Sequence, residues 1–165
     1  MTASPRLAAP YILQSQSQKE VTHNEALNIL DGLVQGVAED NTLAAPPVSP
    51  AEGAVWIVAA GATGDWAGHE DALAQFIGGA WSFHIPLEGW SVWLKAQGLI
   101  ARYDGTGWVA GVVAASSVEI GGDQVLGPRQ AAIADATGGA TVDTEARAAL
   151  NALLAACRTH GLIES

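Results

Sequence analysis

The sequence predicts an α+β protein with three parts: an N-terminal helix, a small Trp-rich antiparallel β module and a C-terminal oligomerising helix. Apolar residues recur at helical spacing near both ends of the 165-residue chain. Between them, a stretch of about fifty residues carries all six tryptophans and is divided by glycine pairs, which is typical of hairpins. The three predicted parts span residues 1–45, 46–113 and 114–165.

The first helix is predicted to follow an irregular lead over residues 1–14. Ser17 to Glu20 matches a capping box, in which a hydroxyl and a carboxylate satisfy the unpaired amides of a helix start. The helix is predicted to continue to about Ala38 and to end at Asp40, before the stiff proline-rich link of 46–50. Its apolar stripe has steps of three, four and three residues and consists of Leu27, Leu30, Val34 and Val37.

In the β module, one hairpin unit occurs twice. Ala74 to Trp81 is matched by Ala101 to Trp108, an offset of 27 residues because 101 − 74 and 108 − 81 both equal 27. Each copy contains a glycine turn between two strands. Trp81, Phe83 and Ile85 alternate with smaller or polar residues, which predicts a strand with one buried face. Strands are predicted at 55–60, 73–77, 80–85, 91–94, 99–103 and 108–113.

The third part is predicted to hold one or two short strands over 116–127 and a helix capped by Asp143 or Thr144. The helix stripe consists of Ala146, Leu150, Leu153, Cys157 and His160. A helix this short is marginal alone but persists in a bundle of copies. The predicted oligomerisation residues of the two helices are Leu27, Leu30, Val34, Val37, Leu150, Leu153, Cys157 and His160.

The composition is both apolar and acidic. Hydrophobic residues make up 49% of the chain, yet its formal net charge is −10. We interpret this combination as apolar surface that is buried between copies, and we expect a homo-oligomer, either a trimer or a pentamer. Seven scattered basic residues exclude a nucleic-acid footprint. No apolar run approaches the roughly 20 residues of a membrane-spanning helix, so no membrane insertion is expected.

No catalytic constellation is recognisable, and we expect no enzyme, cofactor or metal. A Gly-x-Ser-x-Gly elbow is absent. The four histidines lie on separate segments without metal-ligand spacing. The acidic loop 65–71 surrounds His69 and suggests a small glycan hydrolase, although such a loop is more commonly a solvated tip. On an oligomer axis, His160 forms either a polar layer that sets register or a ring around an ion.

The tryptophans are the remaining candidates for ligand binding, since exposed indoles stack on sugar rings. The predicted ligand-binding residues are Trp66, His69, Trp90 and Trp93. Trp56, Trp81 and Trp108 are expected in the core, because a small β unit has few other large residues. For Trp66 and Trp90, burial in the core and a role as a ligand platform both remain open.

Residues 10–110 resemble a domain family of unknown biochemical function that is found in bacterial prophages and gene transfer agents. The segments that carry the resemblance are Pro10 to Leu27, Ala45 to Pro47, Pro50 to Gly53, Ile57 to Gly68, Glu88 to Trp90 and Gly107 to Trp108. The tail is similar to the C-terminal segments of phage fibre and spike proteins, in Gln124 to Ile133 and His160 to Ile163.

The resemblance implies a virion component, assembled in the bacterial cytoplasm as part of a phage-like particle. It implies a head spike, fibre or fibre-base subunit, with other spike, fibre or capsid proteins as partners. Such a subunit helps the particle to attach to the host cell surface through capsular polysaccharide. The family supplies no catalytic residues. The alternative function is a carbohydrate-binding module that recognises capsular or surface polysaccharide.

Overall fold

A computed structural model of the chain describes residues 3–12, 19–138, 143–159 and 162–164. It confirms the α+β class and divides the chain into unit 1, Met1–Val112, and unit 2, Val113–Ser165. Unit 1 holds the first two predicted parts, and unit 2 begins one residue before the third. The helices are α1 (Lys19–Leu33) and α2 (Thr144–Thr159). The strands are β1 (Val37–Ala38), β2 (Val55–Ile57), β3 (Leu73–Ile77), β4 (Ala80–His84), β5 (Ser91–Leu94), β6 (Leu99–Tyr103), β7 (Trp108–Ala110), β8 (Val118–Ile120) and β9 (Asp123–Leu126).

Unit 1 contains two small sheets. The three-stranded sheet has the order β2-β3-β4 and is antiparallel throughout. The four-stranded sheet has the order β1-β5-β6-β7, in which only the β1–β5 pair is parallel. Apolar side chains of both sheets form one buried cluster, the main core: Ala38, Val55, Ile57, Leu73, Val92, Leu94 and Ala101.

The two predicted hairpins are present, and each contains one aromatic cross-strand pair. In the β3–β4 hairpin Phe76 is opposite Trp81, with ring centroids 5.1 Å apart. In the β6–β7 hairpin Tyr103 is opposite Trp108, at 5.5 Å. The first turn has φ of 62° at Gly78 and 80° at Gly79, and two positive φ angles are what a tight two-residue hairpin requires. The sequence repeat is therefore a structural repeat.

Three predicted strands, those at 55–60, 80–85 and 108–113, are shorter than expected, and one prediction of burial is wrong. β2 ends at Ile57 and β7 at Ala110. Ile85 lies beyond the end of β4 and is exposed. Pro86 follows it directly, and proline both removes a ladder donor and restricts the residue before it. The alternation that predicts a buried Ile85 therefore stops with Phe83.

The predicted end of the first helix is also wrong, because α1 ends at Leu33 and not near Ala38. Gln35 has a φ of 47°, in the left-handed region that closes helices. At Gly36 an added Cβ would lie 2.9 Å from the Val92 side chain, so the chain passes close against β5. Val37 and Ala38 then pair with β5 as a short strand.

The N-terminal segment is fastened to the end of α1 by one buried carboxylate. Asp31 accepts hydrogen bonds from the Ser4 hydroxyl at 2.7 Å and from the backbone amides of Arg6 and Leu7. The Arg6 guanidinium in turn donates to the carbonyls of Asp31, Gly32 and Gln35, at 3.2 Å for Gly32 and 2.9 Å for Gln35. Since the last carbonyls of a helix lack partners within it, this cation caps α1.

Unit 2 consists of the β8–β9 ribbon, an extended segment and α2. The predicted strands around the Gly121-Gly122 turn and the predicted helix are confirmed. Asp143 Oδ1 accepts from the Ala146 amide at 2.8 Å, as a helix cap does. The extended segment is bonded to α2 through the Ala136 amide, which donates to Asn151 Oδ1 at 2.9 Å. Ser17, the predicted cap of α1, lies outside the described residues.

Candidate functional site

The structure places Trp66 in the core. It lies in a short 3₁₀ turn, Gly64–Trp66, and its side chain is 0% exposed. Its ring is 6.4 Å from that of Trp56 and 5.1 Å from that of Trp81, centroid to centroid. Trp56, Val58, Trp66 and Ala74 form a second buried cluster, the aromatic core, on the outer side of the three-stranded sheet, and Trp81 is partly buried against it. Of the two alternatives for Trp66, the core is the one observed, so its indole offers no face to a sugar.

His69 also lies beside the aromatic core. Its imidazole stacks in parallel on the ring of Phe83, with centroids 3.7 Å apart and an interplanar angle of 1°. The acidic loop that contains His69 is held to the other sheet, because Trp108 Nε1 donates to the carbonyl of Asp71 at 2.8 Å. The His69 amide also donates to the carbonyl of Trp66 at 3.0 Å, so the loop is held in place by backbone and side-chain hydrogen bonds.

Trp90 is half-buried and packs against the main core. It lines a groove of about 320 Å³ together with Leu33, Val34, Leu73 and Ser91. The backbone of Trp90 is fixed too, since its carbonyl accepts from the Tyr103 amide at 2.8 Å. Trp90 therefore combines a core contact with a partly exposed side chain.

Trp93 is the tryptophan that offers the largest face to solvent among the predicted platform residues, at 45% exposed. It lies on the outer face of the four-stranded sheet, opposite Ile100 on β6 and Val37 on β1. Arg102, two residues beyond Ile100 on the same face, pairs with Ser91. We call these four residues, Val37, Trp93, Ile100 and Arg102, the Trp93 face. The alternation of side chains along β6 could have predicted that Ile100 and Arg102 lie on one face, but neither residue was selected from the sequence.

The predicted stripe on α1 is split. Leu27 is half-buried, whereas Leu30 and Val34 are exposed. Val37 is not on the helix at all, because it belongs to β1 and lies on the Trp93 face. The side of α1 that packs within unit 1 is centred on Asp31 and Gly32, which are buried. A Cβ at position 32 would come within 2.8 Å of the Gln75 side chain, so glycine there permits the close approach of helix and sheet.

Hydrogen bonds of Gln75 join α1 to the three-stranded sheet, and sequence reasoning missed them. We call Asn28, Gln75 and His84 the polar relay. The buried Gln75 donates from Nε2 to the carbonyl of Asn28 at 3.1 Å. Its Oε1 lies 3.1 Å from His84 Nε2. Because Oε1 can only accept, His84 carries its proton on Nε2. Burial without a charged partner lowers the pKa of His84 below its ordinary value, so the neutral ring is favoured.

The predicted stripe of α2 faces away from its own chain over most of its length. Leu150 is 48% and Leu153 61% exposed, while Cys157 is half-buried and unpaired. His160 lies outside the described residues. The side of α2 that packs within unit 2 is instead the adjacent one, formed by Arg147, Asn151, Leu154 and Arg158. We call the exposed pair Leu150 and Leu153 the leucine stripe.

Within the ranges that the structure describes, no three His, Cys, Asp or Glu side chains are grouped as a metal site would require. Neither of the described helices combines the length and apolar character needed to cross a membrane. The candidate sites are therefore surfaces: the leucine stripe, the exposed side of α1, the Trp93 face and a cleft over the aromatic core.

Comparison with known proteins identifies the family of the chain. The model of a family described as a protein of unknown function (DUF2793) matches residues 23–109. The match spans more than half of the 165 residues and covers most of α1 and nearly the whole of both sheets of unit 1. The chain belongs to this family. No curated protein matches the sequence.

Proposed function

We propose that the chain is a structural subunit of a phage-like particle's head spike or fibre, and that it takes part in attachment to the host cell surface. The particle assignment is supported by the resemblance of residues 10–110 to proteins of prophages and gene transfer agents. In this role the subunit is not an enzyme. It is assembled in the bacterial cytoplasm, as a trimer or a pentamer, together with other virion proteins.

The observation that carries self-association is the apolar surface of unit 2. Leu150 and Leu153 lie one turn apart on α2, and both are largely exposed on the single chain. The β8–β9 ribbon adds exposed Val118, Ile120, Val125 and Leu126. A two-stranded ribbon without a covering layer is only marginally stable in water. Association of copies is the arrangement that would cover these side chains and stabilise the unit.

The exposed side of α1 supports the same proposal from unit 1. Leu30 on α1 is exposed, and so is Val34 just beyond the end of the helix; Ile29 and Val21 on α1 are exposed as well. Neighbouring exposed apolar side chains, such as Leu30 and Val34, commonly mark protein interfaces. Copies of a chain with net charge −10 repel one another, so uncharged surfaces of this type are where they can approach.

Sedimentation velocity of the full chain at several concentrations tests the proposal. We expect a constant mass of three or five times 16.9 kDa. Leu150→Glu with Leu153→Glu should reduce the mass toward that of the monomer. Ala148→Glu with Ala152→Glu is the matched control, since it adds the same two charges at exposed positions elsewhere on α2. A wild-type monomer at every concentration, or equal effects of both double variants, would contradict the proposal.

Attachment is tested on the particle. Particles that lack the subunit should adsorb less to host cells than complete particles, and adsorption should return when the subunit is supplied. Equal adsorption of both kinds of particle would refute the attachment role and leave only a structural one.

A second candidate function, recognition of capsular or surface polysaccharide, is favoured by the Trp93 face. This face combines an exposed indole with the guanidinium of the exposed Arg102. Indole faces stack on sugar rings, and a guanidinium binds carboxylates in bidentate fashion. A glycan array probed with the wild type and with Trp93→Ala tests it. Signal that is lost in the variant supports glycan recognition, whereas no signal in either protein refutes it.

A further inference from the structure

A cleft of about 400 Å³ lies over the aromatic core of unit 1. It is lined by Asp65, Phe76, Gly79, Ala80, Trp81 and Phe83. We call it the aromatic cleft. None of the predicted ligand-binding residues lines it, although Asp65 directly precedes Trp66 and His69 stacks on Phe83. The cleft has the size that is usual for a small-ligand site, and three aromatic rings contribute to its lining.

The rings of the cleft are held in fixed orientations. Trp81 and Phe76 meet at an interplanar angle of 61° across the β3–β4 hairpin. From behind, Trp81 contacts Trp66 at 5.1 Å and Trp56 at 5.6 Å, edge to face in both cases. Phe76, Trp81 and Phe83 are each half-buried, so each presents part of its ring to solvent while its position is set by the core. Such a surface binds with little loss of side-chain entropy.

The charge of the cleft is negative. Asp65 is exposed at its edge, and the loop from Gly64 to Asp71 also carries Glu70 and Asp71 but no Lys or Arg. None of the six lining residues is basic. Aromatic faces are themselves the negative end of a ring quadrupole and attract cations, Trp most strongly. The Asp65 carboxylate and the aromatic rings therefore both favour a cationic ligand.

We propose that the aromatic cleft binds an organic cation, an alkylammonium or guanidinium group. A sugar is a poorer match, since sugar hydroxyls require several donors and acceptors. Among the lining side chains only the Asp65 carboxylate and the Trp81 indole N–H are polar. An organic cation needs only negative charge and aromatic faces. The group can come from a small quaternary ammonium compound or from the Lys or Arg side chain of another protein.

The test is a ligand-observed NMR titration of the full chain with choline and with its uncharged isostere 3,3-dimethyl-1-butanol. We expect the choline methyl signals to shift upfield, because ring currents act above aromatic faces, and the isostere to bind about tenfold more weakly. Nα-acetyl-lysine methylamide and Nα-acetyl-arginine methylamide form the second arm. Tighter binding of either one than of choline identifies a protein side chain as the source of the cation.

Two variants locate the binding. Asp65→Asn keeps the shape of the exposed side chain and should weaken choline binding about tenfold or more, while Asp123→Asn on the ribbon of unit 2 should leave it unchanged. Phe83→Leu removes one ring without touching Trp81 and should also weaken it, with circular dichroism confirming the fold. Equal binding of choline and its isostere, unchanged binding in Asp65→Asn, or no binding of any cationic probe would each overturn the proposal.

Discussion

Unit 1 and unit 2 cover their apolar side chains in different ways. In unit 1 two sheets enclose the main core, and a second, aromatic core lies on the outer side of the three-stranded sheet. Among the described residues of unit 2, the buried hydrophobic side chains are Leu154 and Ile163. Every residue of its β8–β9 ribbon is exposed. Unit 1 therefore has a buried hydrophobic core of its own, whereas most of the apolar side chains described in unit 2 are exposed.

Because of this difference, truncation of an apolar side chain should affect the free energy of unfolding differently in the two units. Where side chains are enclosed by their own chain, their truncation lowers the free energy of unfolding at any protein concentration. Where they are exposed on the single chain and covered by copies, truncation acts through association and depends on concentration. Substitutions in unit 1 should therefore show the first behaviour, and substitutions on the leucine stripe of unit 2 the second.

Trp66→Ala should have the largest effect on unit 1. The side chain is fully enclosed and contacts two other indoles, so its truncation leaves a cavity and should cost about 3–5 kcal/mol of unfolding free energy. Urea denaturation followed by far-UV circular dichroism measures it. Trp93→Ala, the same substitution on the outer sheet face, is the control and should cost less than half as much. Similar losses in both variants would mean that enclosure in the aromatic core is not what sets the cost of truncating Trp66.

The hairpins of unit 1 were predictable because their signals are local. Alternation of side chains across a strand and glycine pairs at turns act within about ten residues. The repeat at an offset of 27 residues therefore predicted both hairpins, in which the structure pairs Phe76 with Trp81 and Tyr103 with Trp108. The leucine stripe of α2 and the cap at Asp143 are local signals of the same kind.

Other features depend on distant contacts and were not predictable. α1 ends at Leu33 because Arg6 caps its carbonyls and Gly36 packs on Val92, contacts between segments that are far apart in sequence. The loop position of Trp66 left burial in the core and a role as a ligand platform both open, and only its contacts with Trp56 and Trp81 decide between them. Gln75 lies in a strand pattern that is compatible with an exposed amide, and only its hydrogen bonds to α1 and His84 explain its burial.

The next largest effect in unit 1 is expected at Asp31. Asp31→Ala removes the acceptor of the Ser4 hydroxyl and of the backbone amides of Arg6 and Leu7. Buried donors without partners should cost about 3 kcal/mol in total. Amide hydrogen exchange should show that residues 4–9 lose protection first. Asp104→Ala also removes three accepted hydrogen bonds, but at an exposed turn, and should cost less than about 1 kcal/mol.

Unequal exchange in the two variants is the expected pattern. If Asp31→Ala left the protection of residues 4–9 unchanged, the buried carboxylate would not be what fastens the N-terminal segment. If Asp104→Ala lowered the free energy of unfolding as much as Asp31→Ala, burial would not explain why the Asp31 carboxylate matters more.

Adjacent leucines on α2 give a direct comparison within unit 2. Leu154 is buried against its own chain and Leu153 is 61% exposed. Leu154→Ala should cost about 2 kcal/mol irrespective of concentration. Leu153→Ala should cost less than about 1 kcal/mol in dilute protein and more at concentrations where copies associate. Hydrogen exchange of the α2 amides at two protein concentrations measures both effects. A cost for Leu153→Ala that does not depend on concentration would contradict covering by a second copy.

The smallest effect concerns the polar relay of unit 1 and its dependence on pH. Burial lowers the pKa of His84 in the folded protein, so as pH falls below about 6.5 the unfolded chain binds the proton first. The free energy of unfolding should therefore decrease from pH 7 toward pH 5. His84→Gln keeps a donor near Gln75 Oε1 but does not titrate, and its stability should depend less on pH. His23→Gln, at an exposed position of α1, should retain the wild-type slope. Equal slopes for the wild type and His84→Gln would show that the protonation of His84 is not coupled to folding, and that the relay contributes to stability only through its hydrogen bonds.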